Sequence, residues 1–293
     1  MSKDSISKTA QVNLQMLARL GVPEAVAFRD ALQLEGDPLS AFAHVPFARR
    51  LPLCVSCISE VLYQSANQLI LEADNPTILD LACGYSPRVL LMAPKGYTYI
   101  GADLPDVAQD LMEHRRDLLP ANGEWFAGYR MTDVTNQEQM EHVLAALREQ
   151  ITIVTQGLLS YLNLDQKHEL AENVRSLLAR DGGCWIIPDA DPGTMLVDTF
   201  GAVLGNTAAA MVSQIYKILD AAVGRDTSKV SWRSGEEMAA ALQELGFSVR
   251  RVPLYRDGME LRCLDQVGEK AAERLVSTWQ EKSSLIVTLP SDC

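Results

Sequence analysis

The sequence predicts an α/β fold built on a seven-stranded, mostly parallel β-sheet whose last strand is antiparallel. From Thr77 onward, short apolar runs alternate with stretches of helical periodicity, which is typical of crossover units that place helices on both faces of a parallel sheet. The last run follows a helical stretch near the C-terminus, so it can enter beside the sixth strand and run antiparallel. The seven runs are TILDLA, YTYIGAD, WFAGYRMTD, ITIVTQG, GGCWIIPDA, FSVRRVPL and SLIVTLP.

The segment before the first strand, residues 1–75, is predicted to be helical and to act as a lid. Apolar residues recur there at helical spacing over 12–20 and 58–69, and prolines separate these two stretches. Residues 76–293 then form the α/β domain, which is predicted to bind the ligand.

A long insertion, about 192–233, follows the fifth strand and has an apolar helical pattern of its own. It begins at the carboxyl end of a strand, and in open α/β sheets this edge is where ligands bind, so the insertion is a second candidate for a lid. After it, Ser234 to Glu237 matches a capping box and Gly246 a helix stop, which together delimit one helix before the sixth strand.

The composition favours a small-molecule partner. The chain of 293 residues has a formal net charge of −12 and a pI of about 4.8, and it shows no Lys and Arg cluster that would attract a nucleic acid or an anionic membrane. No stretch reaches the ~18 apolar residues of a membrane helix, and the polar start lacks the pattern of a secretory signal, so the protein is predicted to be cytoplasmic. The cysteine spacing predicts neither a disulfide framework nor a metal site, and Cys54 and Cys57 are interpreted as small residues on a buried helix face.

The first strand ends in a tight turn of small residues. Asp80 stands near the end of the strand, and Ala82 and Gly84 lie in the turn that follows. Small residues let the backbone approach a ligand closely, and the carboxylate of Asp80 can accept hydrogen bonds from a positively charged or N–H group. The full G-x-G-x-x-G pattern is absent, so the turn alone is a weak indication of a nucleotide.

Two further acids end the next two strands. Asp103 follows Gly84 by nineteen residues, close to the ~20-residue offset at which an acid meets ribose hydroxyls in nucleotide-binding α/β folds. Leu104, the next residue, is assigned to the same site. Asp133 ends the third strand, where it can accept from an exocyclic amine such as that of adenine. Acids at strand ends are also common helix N-caps, and that alternative stays open for all three acids.

The same turn distinguishes this site from a dinucleotide site. A pyrophosphate is bound by several glycine N–H groups at a helix N-terminus without a nearby carboxylate, whereas Asp80 beside the turn suits an ammonium or sulfonium group. Adenosine that carries a cationic amino acid fits these residues, and the predicted cofactor is therefore S-adenosylmethionine. A nicotinamide-dependent dehydrogenase is disfavoured for the same reason.

Four motifs follow strands one to four: ILDLACGYSPRVLLM, YIGADLPDV, RMTDV and QGLLSYL. With the N-terminal stretches SKTAQVNLQMLAR and PFARRL, they resemble the class I methyltransferases, and more narrowly the leucine carboxyl methyltransferases and polyketide O-methyltransferases. The resemblance covers most of the chain and is weakest over the insertion. It implies a Rossmann-like class I methyltransferase fold and a small-molecule O- or carboxyl-methyltransferase of secondary metabolism.

The resemblance also implies contacts with the cofactor. Arg49 and Arg19 would bind the cofactor carboxylate, since a guanidinium grips a carboxylate through two hydrogen bonds. Gln156 stands where the family has a glutamate. The other implied contacts are Gly84 with the methionine moiety, Asp103 with the ribose, and Asp133 and Val134 with the adenine.

Three departures from the family pattern lie near the methionine end of the predicted site. Ala82 replaces the first glycine of the turn, and Ser86 with Pro87 replaces an acid and hydroxyl pair. Gln156 replaces the glutamate after strand four and removes a negative charge near the sulfonium. These departures leave the predicted cofactor class unchanged and concern the reaction.

The acceptor is predicted to bind above the fourth and fifth strands, with Tyr161 and Asp189 as candidate catalytic residues. Tyr161 can orient an acceptor through its hydroxyl, and Asp189 stands at the end of the fifth strand. Methyl transfer from a sulfonium needs orientation more than acid–base chemistry, and none of the four histidines stands at a predicted strand end. The rest of the predicted pocket comprises Leu158, Leu159, Asp191, Trp232 and Tyr255.

Two other functions remain open. One is a cyclase on the same fold, similar to azetidine-2-carboxylate synthases, in which the amino group of S-adenosylmethionine attacks its own γ-carbon and methylthioadenosine leaves. The altered turn and Gln156 motivate this alternative. The other is a non-catalytic cofactor-binding module without an acceptor pocket. The sequence predicts no oligomeric state.

Overall fold

The structure is a computed structural model that describes residues 3–34, 50–114, 127–143, 149–192, 194–205, 207, 209–210, 232 and 234–290. The strands are β1 Thr77–Leu81, β2 Thr98–Asp103, β3 Ala127–Met131, β4 Ile151–Thr155, β5 Gly183–Ile187, β6 Ser248–Pro253 and β7 Ser283–Thr288. The helices are α1 Lys3–Arg19, α2 Pro23–Ala31, α3 Leu51–Ala73, α4 Arg88–Met92, α5 Pro105–Glu113, α6 Gln137–Val143, α7 Leu164–Asp181, α8 Met195–Leu204, α9 Gly235–Glu244, α10 Arg262–Val267 and α11 Glu269–Gln280.

The seven strands form one sheet in the order β3-β2-β1-β4-β5-β7-β6. Strands β1 to β5 pair in parallel. Strand β7 lies between β5 and β6 and pairs antiparallel with both. The prediction of a Rossmann-like, mostly parallel sheet with an antiparallel last strand is confirmed.

The strand register brings the ends of β1, β2 and β4 to one level. Leu81 at the end of β1 pairs with Ala102 of β2 on one side and with Thr155 of β4 on the other. Every residue of β1 and β4 is buried, as expected for central strands covered on both faces. Residues that follow these strands therefore emerge at the same edge of the sheet.

The N-terminal helices share a hydrophobic core with one face of the sheet. Helix α3 is 23 residues long and carries buried side chains along most of its length. Leu14 and Leu17 of α1 belong to the same buried cluster as Ile78 of β1 and Ile186 of β5. The helical segment ends at Ala73, and β1 begins at Thr77. The packing therefore places α1 and α3 beside the sheet that supports the site.

Part of the predicted insertion lies among the described residues. Helix α8 occupies its first half, Trp232 near its end is buried, and residues 211–231 lie outside the described part of the chain. The Oγ of Ser234 accepts the N–H of Glu237 at 3.2 Å at the start of α9, and Gly246 after this helix has a φ of +83°. The predicted start and stop of this helix are therefore confirmed.

The described residues show no structural sign of a membrane span or a metal centre. Within these ranges, no helix combines the length and the apolar character that a membrane crossing requires. No group of three or more His, Cys, Asp or Glu side chains in the same part of the chain could hold a metal ion. Cys54 and Cys57 are free thiols on α3 with no exposed surface, which confirms that they lie on a buried helix face.

Candidate functional site

A cavity of about 660 Å³ lies at the sheet edge where β1, β2 and β4 end, and α1 lines one side of it. Asp80, Asp103 and Asp133 all contribute to its wall. The acids that the sequence placed at the ends of three strands thus surround one cavity. The other predicted site residues that line it are Ala82, Gly84, Leu104, Val134, Gln156 and Tyr161.

The turn after β1 has a left-handed backbone. Ala82 has a φ of +51° and Gly84 a φ of +52°. Such values suit glycine but strain alanine, because the Cβ atom comes too close to the following carbonyl oxygen. Backbone hydrogen bonds from Cys83 to Ala102 at 3.1 Å and from Ser86 to Cys83 at 3.0 Å hold the turn in place. Ala82 therefore adopts a backbone conformation that glycine would adopt without strain.

Ala82→Gly is expected to stabilise the fold by about 0.5 to 1 kcal/mol, because relief of the left-handed strain exceeds the entropy that glycine adds to the unfolded chain. Urea unfolding followed by circular dichroism measures the difference in the free energy of unfolding. Ala102→Gly is the matched control, because Ala102 is buried in a regular strand and should lose stability. Equal losses in the two variants would contradict strain at Ala82.

Two hydrogen bonds from backbone N–H groups hold the carboxylate of Asp103 in the cavity wall. Its Oδ2 accepts the N–H of Gly84 at 2.7 Å, and its Oδ1 accepts the N–H of Leu104 at 2.8 Å. Gly84 and Asp103, which are nineteen positions apart in the sequence, are therefore in direct contact. Burial raises the pKa of Asp103, the two N–H donors oppose this, and the charge of Asp80 adds to the increase. Each carboxylate oxygen keeps a lone pair that can accept a hydroxyl from a ligand in the cavity.

Asp133 fixes the loop after β3. Its Oδ1 accepts the N–H of Thr135 at 3.0 Å and the Thr135 hydroxyl at 2.7 Å. Helix α6 is capped by Asn136 instead, whose Oδ1 accepts the N–H of Gln139 at 3.0 Å. The carboxylate of Asp133 is partly exposed at the cavity wall, where a ligand can reach it.

None of the three acids is the N-cap of a helix. The N-cap of α4 is Pro87 and that of α5 is Leu104, and neither uses a capping side chain. Asp133 leaves the capping of α6 to Asn136. The structural alternative that the sequence left open for these acids is therefore wrong.

Arg88 is the centre of a buried polar network that sequence reasoning missed. Its guanidinium forms an ion pair with Asp80 and donates to Asn67 Oδ1 at 2.8 Å and to Gln156 Oε1 at 2.9 Å. Tyr99 donates its hydroxyl to the same Asp80 oxygen at 2.9 Å. Burial opposes the charge of Arg88, but Asp80 and the neighbouring tyrosines outweigh it, so that the pKa of Arg88 rises.

The positive partner of Asp80 is thus a residue of the protein. The sequence interpretation assigned to Asp80 a cationic or N–H group of the ligand, whereas its Oδ2 meets Arg88 and Tyr99. The missed signal was a charged residue at the head of an apolar helix, the RVLLM of α4. Because a buried arginine needs anionic or carbonyl partners, this position predicts a network near the strand ends.

The described wall of the cavity carries more negative than positive charge. Asp80, Asp103 and Asp133 contribute three carboxylates, and Arg88 is the single cation among the described lining residues. Gln156 is neutral where a glutamate would add a further negative charge. The wall therefore favours a ligand with positive charge.

Helix α1, which belongs to the predicted N-terminal lid segment, supplies one side of the cavity. Val12, Leu14 and Leu17 line the cavity together with Asn13. The Oδ1 of Asn13 accepts the hydroxyl of Ser59 from α3 at 2.9 Å, which ties the two helices together beside the cavity. The helical spacing of these apolar residues was visible in the sequence, but the face that meets the sheet edge depends on how α1 packs on α3.

The two candidate catalytic residues lie at different distances from the cavity. Tyr161 lines it from the 3₁₀ turn after β4, and 40% of the residue is exposed. Asp189 is not among the lining residues; its Oδ2 accepts the N–H of Gly157, which does line the cavity, at 2.9 Å. Burial raises the pKa of Asp189 to about 6, against the lowering effects of the Gly157 N–H and of the backbone N–H of Asp189 itself.

The remaining residues of the predicted site lie apart from the cavity or outside the described residues. Arg19 is exposed in the last turn of α1 and does not line the cavity, and Arg49 lies outside the described residues. Asp191 accepts the N–H of Gly235 at 2.8 Å and that of Ser283 at 2.6 Å, so it joins α9 to β7. Of the other predicted pocket residues, Leu158 lines the cavity, and Leu159, Trp232 and Tyr255 do not.

Comparison with known proteins gives structural alignments of low sequence identity. No protein-family model and no curated protein matches the sequence. The methyltransferase domain of bacterial CtHen1 aligns with a TM-score of 0.49 and 12% identity, over 80% of this chain and 100% of that chain. Magnesium protoporphyrin IX methyltransferase (ChlM) from Synechocystis PCC 6803 aligns with a TM-score of 0.47 and 11% identity, over 95% and 100%. An O-methyltransferase family protein from Burkholderia thailandensis aligns with a TM-score of 0.45 and 14% identity, over 96% and 72%.

Proposed function

We propose that this protein is an S-adenosylmethionine-dependent methyltransferase that acts on a small molecule. The observation that carries the proposal is the charge of the cavity wall, whose described residues include the carboxylates of Asp80, Asp103 and Asp133 and a single guanidinium, that of Arg88. Adenosine with a sulfonium group matches this wall, because its ribose hydroxyls and exocyclic amine donate to carboxylates and its sulfonium offsets their charge. The same wall would repel a pyrophosphate.

The residues of the wall suit the three parts of this cofactor. Asp103 is assigned to the ribose and Asp133 to the adenine. Arg88 and Gln156 are assigned to the methionine end, where the N–H donors that Arg88 does not use on its protein partners can bind a carboxylate. The remaining proposed contacts are Ala82, Gly84, Leu104, Val134 and, outside the described residues, Arg49.

Orientation is the main contribution that the protein makes to methyl transfer. When bound, S-adenosylmethionine supplies an electrophilic methyl group, and the side chains around it align the acceptor and exclude water. Tyr161 is proposed to hydrogen-bond the acceptor, and the apolar face of α1 is proposed to exclude water. No histidine is among the described lining residues, and an acceptor that is already nucleophilic, such as a carboxylate, needs no general base. The proposed reaction is O- or carboxyl-methylation in secondary metabolism, in the cytoplasm.

Cyclisation of S-adenosylmethionine is a second candidate, and the contact between Gln156 and Arg88 favours it. A glutamate at this position would stabilise the charged form of an ammonium group, whereas a neutral amide that already accepts from Arg88 at 2.9 Å does not. An ammonium group without such a partner loses its proton more readily. The neutral amine is the nucleophile that closes a ring onto the γ-carbon, with methylthioadenosine as the leaving group and no acceptor.

Analysis of the sulfur-containing product tests both candidates. Purified protein is incubated with S-adenosylmethionine alone and with a panel of carboxylic acids and phenols, and the nucleosides are identified by mass spectrometry. Methyl transfer predicts S-adenosylhomocysteine that forms only with an acceptor. Cyclisation predicts methylthioadenosine without one, above the amount released spontaneously in a reaction without protein.

Two further results would contradict the proposed function, one of them the catalytic activity and the other also the cofactor. Calorimetric binding of the cofactor analogue sinefungin with neither product would support the non-catalytic binding module. No binding of sinefungin would also remove the assignment of the cavity to this cofactor.

A further inference from the structure

We infer that Asp189 is a positioning residue that sets the shape of the cavity at the end of β4 through the N–H of Gly157. The inference rests on the proposed function in one respect, which is that the cavity is the ligand site. Asp189 does not line the cavity itself, so its effect on a ligand would be transmitted by Gly157.

The contact joins two neighbouring strand ends. Strands β4 and β5 pair in parallel, and the hydrogen bond from Gly157 N–H to Asp189 Oδ2, at 2.9 Å, connects the loops that follow them. Gly157 has a φ of +78°, which a side chain would strain, and it directly follows Gln156. Both Gln156 and Gly157 line the cavity. Asp189 therefore anchors a left-handed corner in the cavity wall.

The corner also sets the direction of the next segment. Ser160 donates its hydroxyl to the carbonyl oxygen of Gly157 at 3.3 Å, and Tyr161 N–H donates to Leu158 O at 2.9 Å. Leu158 and Tyr161 are lining residues that follow the corner. A shift of Gly157 would therefore move cavity residues on both sides of it.

Only one of the two carboxylate oxygens of Asp189 has a hydrogen-bond partner among the described residues, which is unfavourable for stability. Its Oδ1 is buried and has no hydrogen-bond partner among the described residues. Two residues later, Asp191 uses both oxygens to bind Gly235 N–H and Ser283 N–H. A buried carboxylate oxygen without a donor lowers stability, whereas the charge strengthens the bond to Gly157. The carboxylate at 189 is therefore better explained by the corner than by stability.

The decisive variants are Asp189→Ala and Asp189→Asn, with Asp191→Ala as the matched control at the same sheet edge. Asp189→Ala removes the acceptor of the Gly157 N–H, so sinefungin should bind about 10-fold more weakly by calorimetry. Asp189→Asn keeps a weaker, neutral acceptor and should lose less affinity. Asp191→Ala should melt at a lower temperature than the wild type and bind sinefungin with the same affinity.

Thermal stability separates positioning from a structural role. The pKa of Asp189 is raised from 3.8 to about 6, so ionisation of this group costs stability progressively as the pH rises from 3.8 to about 6, and the full penalty remains at higher pH. Asp189→Asn lacks the charge, so at about pH 8 it should melt at a temperature at least as high as the wild type. A lower melting temperature with unchanged sinefungin affinity would overturn the inference.

Amide hydrogen exchange gives a readout that needs no ligand. In Asp189→Ala, exchange should accelerate in the peptide that contains Gly157, and Asp191→Ala should leave that peptide unchanged. Unchanged exchange at Gly157 in Asp189→Ala would overturn the positioning role, even if the wild type binds sinefungin. A loss of sinefungin affinity in Asp191→Ala as large as that in Asp189→Ala would also overturn it. If the wild type binds no sinefungin while exchange at Gly157 responds as expected, the proposed function fails and the positioning of the corner is supported.

Discussion

Arg88→Met should destabilise the protein by about 3 to 5 kcal/mol, because it leaves the buried charge of Asp80 without a cation. Both side chains are buried, and the guanidinium also donates to Asn67 and Gln156. Methionine fills a similar volume, so the loss would arise from the unpaired acid and acceptors more than from a cavity. Urea unfolding of wild type and variant measures the difference in the free energy of unfolding.

Two control variants test whether the loss of stability arises from the unpaired buried charge. Arg29→Met removes a partly exposed ion pair with Asp30, with 2.7 Å between Nη2 and Oδ1, and should cost less than about 1 kcal/mol. The double variant Asp80→Asn/Arg88→Met removes both charges and should be more stable than Arg88→Met alone. If Arg88→Met were as harmless as Arg29→Met, the buried network would have no energetic role.

Asp103→Ala should weaken sinefungin binding by roughly 1.5 to 3 kcal/mol, which is about 10- to 150-fold in Kd, because a hydrogen bond to a charged group has this strength. Isothermal titration calorimetry measures the change. Glu113→Ala is the control, since Glu113 is an exposed carboxylate on α5 that does not line the cavity. The same affinity in both variants and the wild type would remove the ribose assignment.

A second ligand pair separates the ribose contact from loosening of the turn. Asp103 also holds Gly84, so its loss could weaken any nucleoside. Wild-type protein should bind adenosine more tightly than 2′,3′-dideoxyadenosine, which lacks the ribose hydroxyls. Asp103→Ala should bind the two alike. A variant that keeps the preference for adenosine would show that the hydroxyls are recognised elsewhere.

The residues at the strand ends show how much of the cavity wall could be predicted from the sequence. The spacing of nineteen residues between Gly84 and Asp103 predicted an acid at the ligand site, and Asp103 lines the cavity with its Oδ2 2.7 Å from the N of Gly84. Offsets of this kind are visible in a sequence because each crossover unit returns the chain to the same edge of a parallel sheet. The protein partners of these acids were not visible, because Arg88 pairs with Asp80 and two backbone N–H groups donate to Asp103 only in the folded chain.

Asp189 and Asp191 show a limit of the same reasoning. The two acids lie two residues apart after β5, and the sequence assigned both to the acceptor pocket. In the structure, Asp189 contacts the cavity wall through Gly157, whereas Asp191 binds Gly235 and Ser283. These partners are far away along the chain, so only the packing of β7 and α9 against β5 distinguishes the two roles.

The sequence by itself determined the seven-stranded, mostly parallel sheet with its antiparallel last strand, the edge of the sheet at which the cavity lies, and the acids Asp103 and Asp133 in its wall, because hydrophobic periodicity and strand-end position are local properties of the chain. Only the tertiary structure decided that Arg88 forms an ion pair with Asp80, that a face of α1 lines the cavity, and that Asp189 accepts the N–H of Gly157. Each of these depends on side chains from separate elements meeting in a space from which water is excluded, and such meetings follow from packing, not from spacing along the sequence.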